Sequence, residues 1–149
     1  MPVLAVAKFE RFFRLAAELT VDKNDLKRYT DFVNQKLYDL CLLGRVTAKT
    51  NDRDVIRPYD LPITKGLQES VRQFDEMDEE LELISIMDEL VALPPLDADL
   101  AVDTEAWLPR IAGGLSLALA RTFKVLDPKV RNPQSDEWER AIRIFNLLL

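Results

Sequence analysis

The chain of 149 residues contains no histidine, one cysteine and only four glycines, and aromatic side chains make up 8% of it. Without histidine it cannot build a Ser-His-Asp or Cys-His nucleophile, a histidine-ligated zinc centre or a Glu-x-x-His di-iron site. A single cysteine excludes thiolate metal clusters and an internal disulfide framework. We therefore expect no enzyme, no metal and no cofactor, and nothing in the sequence indicates a small-molecule substrate.

Long apolar runs are also missing. The longest, residues 111–120, has ten residues, whereas a helix that crosses a bilayer needs about 20. The apolar residues 1–7 have no basic segment before them, and charged residues follow at once, which argues against a signal peptide. The lone Cys41 suits a reducing compartment. We expect no membrane partner and a cytoplasmic location.

Apolar side chains recur at helical spacing along the whole chain, and no stretch alternates in the way a strand does. This spacing predicts an all-α fold. The hydrophobic content of 48% is enough for a core, so we expect one compact domain over residues 1–149. Residues 55–56 form a brief extended segment in this prediction. The predicted helices cover residues 6–19, 23–50, 60–74, 77–93, 103–126 and 135–149.

Local features of the sequence predict helix ends and close contacts. Asp22 is a good N-cap for the second helix, and Asp25 stands where the partner of a capping box belongs. The Gly113-Gly114 pair predicts close packing where the two long helices cross, with Gly44 as its counterpart on the other helix. Three further side chains are predicted to be buried: Cys41, Trp107 and Trp138.

The helices follow one order twice, as a short, a long and a medium helix separated by loops. That order resembles the histone fold, and the loop of residues 51–61 (NDRDVIRPYDL) is similar to the second loop of archaeal histones. The resemblance implies that Arg53 and Asp60 form the structural clamp of that family. A bidentate bond between the guanidinium and the carboxylate would tie the two ends of the loop together.

The whole chain also resembles a bacterial family of unknown function in which two histone folds are fused in one polypeptide. Three segments carry this resemblance: residues 22–28, 92–97 and 141–149. It implies an intramolecular handshake, a pseudo-dimer in which residues 1–75 pair with residues 76–149 as two histones do. It implies no established activity.

The second half departs from the histone pattern at the clamp. Lys129 and Asp136 have the spacing of the clamp, but a lysine lacks the planar fork of an arginine. A second alignment places Pro128 at the arginine position instead. In DNA-packaging histones a lysine and a threonine usually follow the clamp arginine. Here Asp54 and Val55 follow it, and a carboxylate at that place repels DNA.

Charge is distributed unevenly between these halves. Residues 1–75 have 13 Lys and Arg against 11 Asp and Glu, a net charge of +2, and residues 76–149 have 7 against 15, a net charge of −8. Much of the difference comes from the acidic run of residues 75–82. This run is either a solvated helix start, favoured by the helix dipole, or a docking site for a basic partner.

A net charge of −6 argues against general binding to duplex DNA, but it permits a local basic patch. In a handshake the first loop of one half lies beside the second loop of the other, which predicts two unlike ends. One end mixes basic and acidic residues: Lys49, Arg53, Arg57, Asp52, Asp54, Asp97 and Asp99. The other end is basic and would be the DNA contact: Lys23, Lys27, Arg28, Lys129 and Arg131.

We therefore expect a non-enzymatic module for protein interaction or dimerisation, which associates with itself or with another protein. The alternative is weak or specialised DNA binding of the histone-like, nucleoid-associated kind, through the basic end. The apolar tail, residues 145–149, either tucks into the core or forms a subunit interface, since an exposed apolar patch usually marks association.

Overall fold

The computed structural model describes residues 3–149, with side chains from Val6 onward. The apolar segment 1–7, on which the prediction of no signal peptide rests, therefore begins outside the described residues. The structure is predominantly helical, at 74% helix. The helices are α1 (Val3–Ala17), α2 (Lys23–Thr50), α3 (Lys65–Leu81), α4 (Ile84–Leu90), α5 (Val102–Leu126) and α6 (Ser135–Leu148). The strands are β1 (Val55–Ile56) and β2 (Asp99–Leu100), and a 3-10 turn covers Pro58–Asp60.

The two long helices, α2 and α5, form where the apolar spacing predicts them. The Asp22 carboxylate accepts a hydrogen bond from the backbone N–H of Asp25 at 2.8 Å, and the Asp25 carboxylate accepts one from the N–H of Asp22 at 3.0 Å. The predicted capping box is therefore confirmed. The other long helix, α5, ends at its C-cap Asp127, directly before Pro128.

Aromatic side chains of α1 pack against α2 in the core. The rings of Phe9 and Phe13 lie edge-to-face on Tyr29, with centroids 5.4 and 5.0 Å apart. The Tyr29 hydroxyl lies 2.6 Å from the hydroxyl of Ser116 in α5, and Ser116 also donates to the Ala112 carbonyl. Buried polar groups need such partners. This hydrogen bond joins α2 to α5, and the ring contacts on Tyr29 add α1 to the same core.

Gly113 and Gly114 allow α3 to lie directly on α5. A Cβ atom on Gly113 would overlap the Phe74 ring, and a Cβ atom on Gly114 would overlap Val71. The glycine pair therefore serves a close helix contact, as predicted. Its partner is α3, however, and the prediction that α2 would be the partner is wrong.

Gly44 is not the counterpart of that pair. A Cβ atom at this position would lie 3.1 Å from Cγ2 of Ile56 and 3.0 Å from Cδ2 of Leu61. Gly44 thus lets the loop after α2 pack on the helix, and side chains of that loop, rather than α5, fill the space beside it.

The start of α3 differs from its predicted position near Asp60. Thr64 is the N-cap, with its hydroxyl accepting a hydrogen bond from the N–H of Leu67 at 3.2 Å. The helix therefore begins at Lys65, and residues 60–64 of the predicted helix precede it.

The end of α3 also differs from the prediction. The helix continues to Leu81 instead of ending at residue 74, and α4 has seven residues instead of covering 77–93. The break lies at Glu82, whose φ of 52° is left-handed. The acidic run of residues 75–82 is therefore at the C-terminal end of a helix, where the dipole disfavours negative charge, and the prediction of a helix start is wrong.

The predicted boundary between the two halves does not coincide with the end of a helix. The predicted boundary between residues 75 and 76 falls inside α3, whereas α3 and α4 separate at residues 82–83. Residues 1–82 have 13 basic and 16 acidic residues, and residues 83–149 have 7 and 10, so each part has a net charge of −3. The contrast of +2 and −8 depended on a boundary within a helix, and it disappears.

At the C-terminal end of α2, the two strands join the two parts of the chain. β1 and β2 pair in parallel, with Val55 opposite Asp99 and Ile56 opposite Leu100. The Thr104 hydroxyl adds a hydrogen bond of 2.7 Å to the Ile56 carbonyl. The brief extended segment is confirmed, but its partner strand was not predicted, so the fold is not strictly all-α.

At the N-terminal end of α2, a second loop contact joins the two parts. The backbone N–H of Thr20 donates to the carbonyl of Arg131 at 2.6 Å. Beside it, Nη2 of Arg28 donates to Oγ of Ser135 at 2.8 Å. Each end of α2 therefore carries one contact between a loop of the first part and a loop of the second.

The helix α6 begins at Ser135, as predicted, and its N-cap is Gln134. The N–H of Gln134 donates to the Glu137 carboxylate at 3.1 Å. Trp138 is buried as predicted, with its ring edge-to-face on Phe123 at 4.8 Å.

The apolar tail is divided between the two predicted alternatives. Phe145 is buried, and Asn146 accepts a hydrogen bond from the buried Lys36. Leu147 and Leu148 are 84% and 73% exposed. One part of the tail thus belongs to the core and the other part remains on the surface.

The longest apolar run, residues 111–120, is the middle of α5 and is buried apart from a partly exposed Ala118. No helix within residues 3–149 is long and apolar enough to cross a membrane.

Candidate functional site

The loop between α2 and α3 contains the predicted pair of Arg53 and Asp60. Nη1 and Nη2 of Arg53 donate to the two carboxylate oxygens of Asp60, each at 2.7 Å. Nη1 also donates to the Val55 carbonyl at 3.2 Å, and the backbone N–H of Arg57 donates to Asp60 at 2.8 Å. Bidentate bonds between charged partners are among the strong hydrogen bonds of proteins, so they hold this loop in one shape.

Asp60 is 3% exposed, whereas the side chain of Arg53 is 25% exposed. The hydrogen bonds from Arg53 and from the backbone of Arg57 lower the pKa of Asp60 below its ordinary value. The carboxylate is therefore charged at neutral pH. It fixes the 3-10 turn and with it the position of Tyr59.

Other basic side chains at this end of α2 are also paired. Asp97, in the loop before β2, accepts a hydrogen bond from Arg45 at 3.1 Å and lies 3.6 Å from Nζ of Lys49. Arg57 is an exception, because it is exposed and forms no ion pair with any described residue. We call this region the balanced end, defined by Arg45, Lys49, Arg53, Asp60 and Asp97.

The basic end is assembled from both parts of the chain at the start of α2. The Arg28–Ser135 hydrogen bond joins residues 107 positions apart, and the Thr20–Arg131 bond lies beside it. The five predicted cations are all exposed, and none forms an ion pair within residues 3–149. They are Lys23, Lys27, Arg28, Lys129 and Arg131.

Carboxylates at the basic end accept hydrogen bonds from backbone N–H groups. Asp22 and Asp25 close the capping box, and Asp127 accepts the N–H of Lys129 at 3.0 Å. Burial raises the pKa of Asp25 above its ordinary value. Lys129 and Asp136 form no ion pair in the described part of the chain, so the clamp spacing of the second half is not used.

A groove of about 800 Å³ lies between the 3-10 turn, α3 and α5. Tyr59 is 74% exposed and Trp107 is 40% exposed on it, so the prediction that Trp107 belongs to the core is wrong. We call it the aromatic groove, and its main apolar lining residues are Tyr59, Leu61, Ile63, Val71, Trp107 and Ile111. Its size falls within the range of about 300 to 1,000 Å³ that is typical of ligand sites.

Each exposed ring of the groove has an arginine over it. The guanidinium carbon of Arg53 lies 5.2 Å from the Tyr59 ring centroid, and that of Arg110 lies 5.5 Å from the Trp107 centroid. Both distances are within the range of cation–π attraction. The two rings are therefore held in place while much of their surface faces solvent.

The arginines that line the groove are paired within the chain. Nη2 and Nε of Arg110 donate to the Asp75 carboxylate at 2.6 and 3.2 Å. Arg72 forms ion pairs with Glu69 and Glu76 on its own helix, and these pairs are exposed. The groove thus combines an apolar surface with charges that already have partners.

The aromatic groove was not predicted. Trp107 lies four residues before the buried Ile111, so helical spacing placed it with the core. Trp107 and Arg110, three residues apart on one helix, could have suggested a stacked surface pair. Tyr59 belongs to a turn without any periodic pattern, so nothing in the sequence indicated its exposure.

The nucleophilic side chains lie away from these surfaces. Burial raises the pKa of the Cys41 thiol to about 11, as expected of a cysteine in the core. Burial also raises the pKa of Tyr29 well above its usual range, although Ser116 hydrogen-bonds to it. Among the described residues, no group of three His, Cys, Asp or Glu is placed to hold a metal ion.

This chain belongs to the family described as a domain of unknown function (DUF1931), whose profile matches residues 9–146. It is similar to two uncharacterised proteins of Aquifex aeolicus. One is 24% identical over 139 residues, with 93% of this chain and 81% of that protein covered. The other is 28% identical over 137 residues, with 83% and 80% covered.

Two crystal structures are similar to it as well. A structure from Thermus thermophilus has 56% sequence identity, covers 97% of each chain and has a TM-score of 0.85. A structure from Aquifex aeolicus at 1.9 Å has 22% identity, covers 100% of both chains and also has a TM-score of 0.85, which shows a shared fold. The family thus has bacterial relatives, and its name gives no activity.

Proposed function

We propose that the chain is a double histone fold in one polypeptide, with residues 3–82 paired against residues 83–149. The helix order supports this, because a long helix lies between two shorter ones in each part. The loop after α2 contacts the loop before α5, and the loop before α2 contacts the loop after α5. Such reciprocal contacts between first and second loops are what a handshake requires, and the Arg53–Asp60 pair lies at the clamp position.

As its function we propose non-enzymatic protein interaction. The observation that carries this proposal is the aromatic groove, on which Tyr59 and Trp107 expose their rings beside arginines. The few residues that carry most of the binding energy at protein interfaces are enriched in Trp, Tyr and Arg. An exposed apolar surface on an otherwise charged molecule usually marks an interaction site.

The groove is also preorganised. The Arg53–Asp60 pair fixes the turn that carries Tyr59, and Asp75 holds Arg110 beside Trp107. A surface held in this way loses little conformational entropy when a partner docks. The arginines at the groove already form ion pairs with carboxylates of the same chain. Because these charges are engaged in structural contacts, the groove is better suited to binding a partner than to acid–base catalysis.

A photo-crosslinking amino acid at Gln68, which lines the groove, tests this proposal in the host cell. We expect a discrete crosslinked product that the additional substitution Trp107→Ala removes. The matched control places the same probe at Glu139, which is exposed on α6, and should give no such product. Equal crosslinking at both positions, or a product indifferent to Trp107→Ala, would contradict the proposal.

The basic end supports a second candidate function, weak DNA binding. Its five cations have no acidic partner in the described chain and are therefore available to phosphates, whose neutralisation drives salt-dependent binding. The net charge of −6 limits the affinity by long-range repulsion.

Fluorescence anisotropy with a labelled duplex at low and moderate salt tests this candidate. We expect salt-sensitive binding at micromolar protein that the double variant Lys23→Glu/Lys27→Glu abolishes. Arg45→Glu is the control, because it changes charge by the same amount per residue at the balanced end. The absence of salt-sensitive binding by the unmodified chain would rule out the DNA candidate.

A further inference from the structure

We propose that the aromatic groove binds the Pro94-Pro95 segment of a second copy of this chain. In the resulting two-fold dimer each copy places its own segment in the groove of the other, which is a reciprocal exchange of contacts. The proposal rests on the interaction role proposed for the groove. Within one chain, residues 91–98 contribute nothing to the groove lining. The groove is therefore not filled by its own segment.

The chemistry of the groove favours an occupant that brings no charge to the contact. Arg72 and Arg110 already have carboxylate partners in the same chain, so a charged ligand would have to displace those partners. The exposed faces of Tyr59 and Trp107 remain available. Grooves lined by such aromatic side chains receive proline-rich segments in several classes of peptide recognition.

Residues 91–98 present two prolines on the surface. Leu93 and Leu96 are partly buried against the core and anchor the segment, whereas Pro94 and Pro95 are exposed. Proline has no N–H to leave unsatisfied and a fixed φ, so ordering it on binding costs little. The segment is therefore a suitable apolar ligand that the chain itself supplies.

The groove and the segment adjoin opposite ends of one short strand pair. The segment leads into β2, whereas Tyr59 follows the end of β1 by three residues, and the two strands are parallel and only two residues long, about 7 Å. An isologous interface requires that one surface patch contain both halves of a contact. This proximity meets that requirement, because a two-fold axis can form both groove–segment contacts at once.

Unpaired charges support the same arrangement. Arg57 directly precedes Pro58 of the groove lining, and Asp99 follows the segment at the start of β2. Both are exposed, and neither forms an ion pair with a described residue. The exchange brings Arg57 of one copy and Asp99 of the other to one interface, where opposite charges favour the correct pairing.

Sedimentation velocity of the full chain over a range of concentrations tests the dimer. We expect the dissociation constant to rise about tenfold or more in the double variant Pro94→Ser/Pro95→Ser and in Trp107→Ala, as for central interface residues. The control Val125→Ser removes a side chain that is 82% exposed on α5 and should leave the dimer unchanged. Because Trp138 is buried, dimerisation should shift only the Trp107 emission, toward the blue.

Mixing the two variants separates a lost contact from a damaged fold. A heterodimer of the proline variant and the Trp107→Ala variant keeps one intact groove facing one intact proline pair. The mixture should therefore dimerise more strongly than either variant alone. Failure of this rescue, with both variants folded by circular dichroism, overturns the exchange.

Two further outcomes overturn the proposal. One is an unmodified chain that stays monomeric at the highest soluble concentration, and the other is a dimer unaffected by the proline variant. A monomer that still crosslinks another protein at Gln68 would overturn the second copy as occupant and leave the interaction function in place.

Discussion

The loop contacts at the two ends of α2 share one plan and differ in chemistry. At the balanced end, Arg45, Lys49 and Arg53 lie 3.1, 3.6 and 2.7 Å from a carboxylate oxygen, and paired strands close the contact. At the basic end, one backbone hydrogen bond closes the loops and five cations face solvent. The helical frame therefore needs a loop contact at each end but an ion-pair clamp at only one, which leaves the charges of the basic end available for a partner.

Overfilling the balanced end should give the largest effect on stability. A Cβ atom at Gly44 would lie 3.0 Å from Leu61, so we expect Gly44→Leu to lower the free energy of unfolding by about 3 kcal/mol. Gly66→Leu is the control, since nothing lies within 4 Å of a Cβ there and leucine is the better helix former. Urea unfolding measures both, and equal losses would contradict the packing described for Gly44.

Removing the charge of the clamp should have the next largest effect. Asp60→Asn replaces a buried carboxylate that accepts three hydrogen bonds, so we expect a loss of about 2 kcal/mol. Asp136→Asn, at the corresponding spacing of the basic end, should cost about 0.5 kcal/mol or less. Thermal unfolding compares the two variants, and similar losses would mean that the ends do not differ in the way described.

Acid should act on the two ends in opposite directions. The pKa of Asp60 is lowered by Arg53, so its stabilisation is complete above the unfolded value of about 4 and is lost as the pH falls through the folded value. The pKa of Asp25 is raised by burial, so its charged form lowers stability at neutral pH and protonation relieves this.

Urea unfolding from neutral pH down to about pH 3 separates these contributions. Asp60→Asn should lose less stability in acid than the unmodified chain, because the acid-sensitive contribution is gone. Asp25→Asn should lose more, because a compensating gain is gone. The reverse order would refute the assignment of the two pKa shifts to the two ends.

Exposed charges should matter least for stability at both ends. Asp97 is 74% exposed and keeps Lys49 when Arg45 is removed, so Arg45→Met should change the free energy of unfolding by about 0.5 kcal/mol or less. Arg28→Met loses one exposed hydrogen bond to Ser135 and should cost equally little. Urea unfolding measures both variants. A loss above about 1 kcal/mol in either one would mean that its arginine contributes substantially to the stability of the fold.

Features that depend on neighbouring residues could be predicted from the sequence. The capping box of Asp22 and Asp25 requires only a spacing of three, and the bounds of α2 and α5 follow from apolar spacing and helix-breaking residues. The pairing of Arg53 with Asp60 lies within one loop, where the resemblance to histones placed it. Local chemistry thus determines the frame of the molecule.

Features that depend on distant packing could not be predicted. Between residues 67 and 90 the apolar spacing continues without a proline or a glycine, so nothing local indicates the left-handed Glu82 that separates α3 from α4. The strand β2 has only two residues and forms because β1 is present. Trp107 has the spacing of a core residue, and only the position of α3 on α5 leaves it at the surface.

The Thr20–Arg131 hydrogen bond affects the order of folding during synthesis. Its partners are 111 positions apart, whereas Val55 and Asp99 of the strand pair are 44 apart. Because a ribosome releases the N-terminal residues first, the balanced end can close long before the basic end. Until α5 emerges, Tyr29 lacks its partner Ser116, so the nascent chain passes through a stage in which α1 can already pack on α2 while the Tyr29 hydroxyl has no partner from α5.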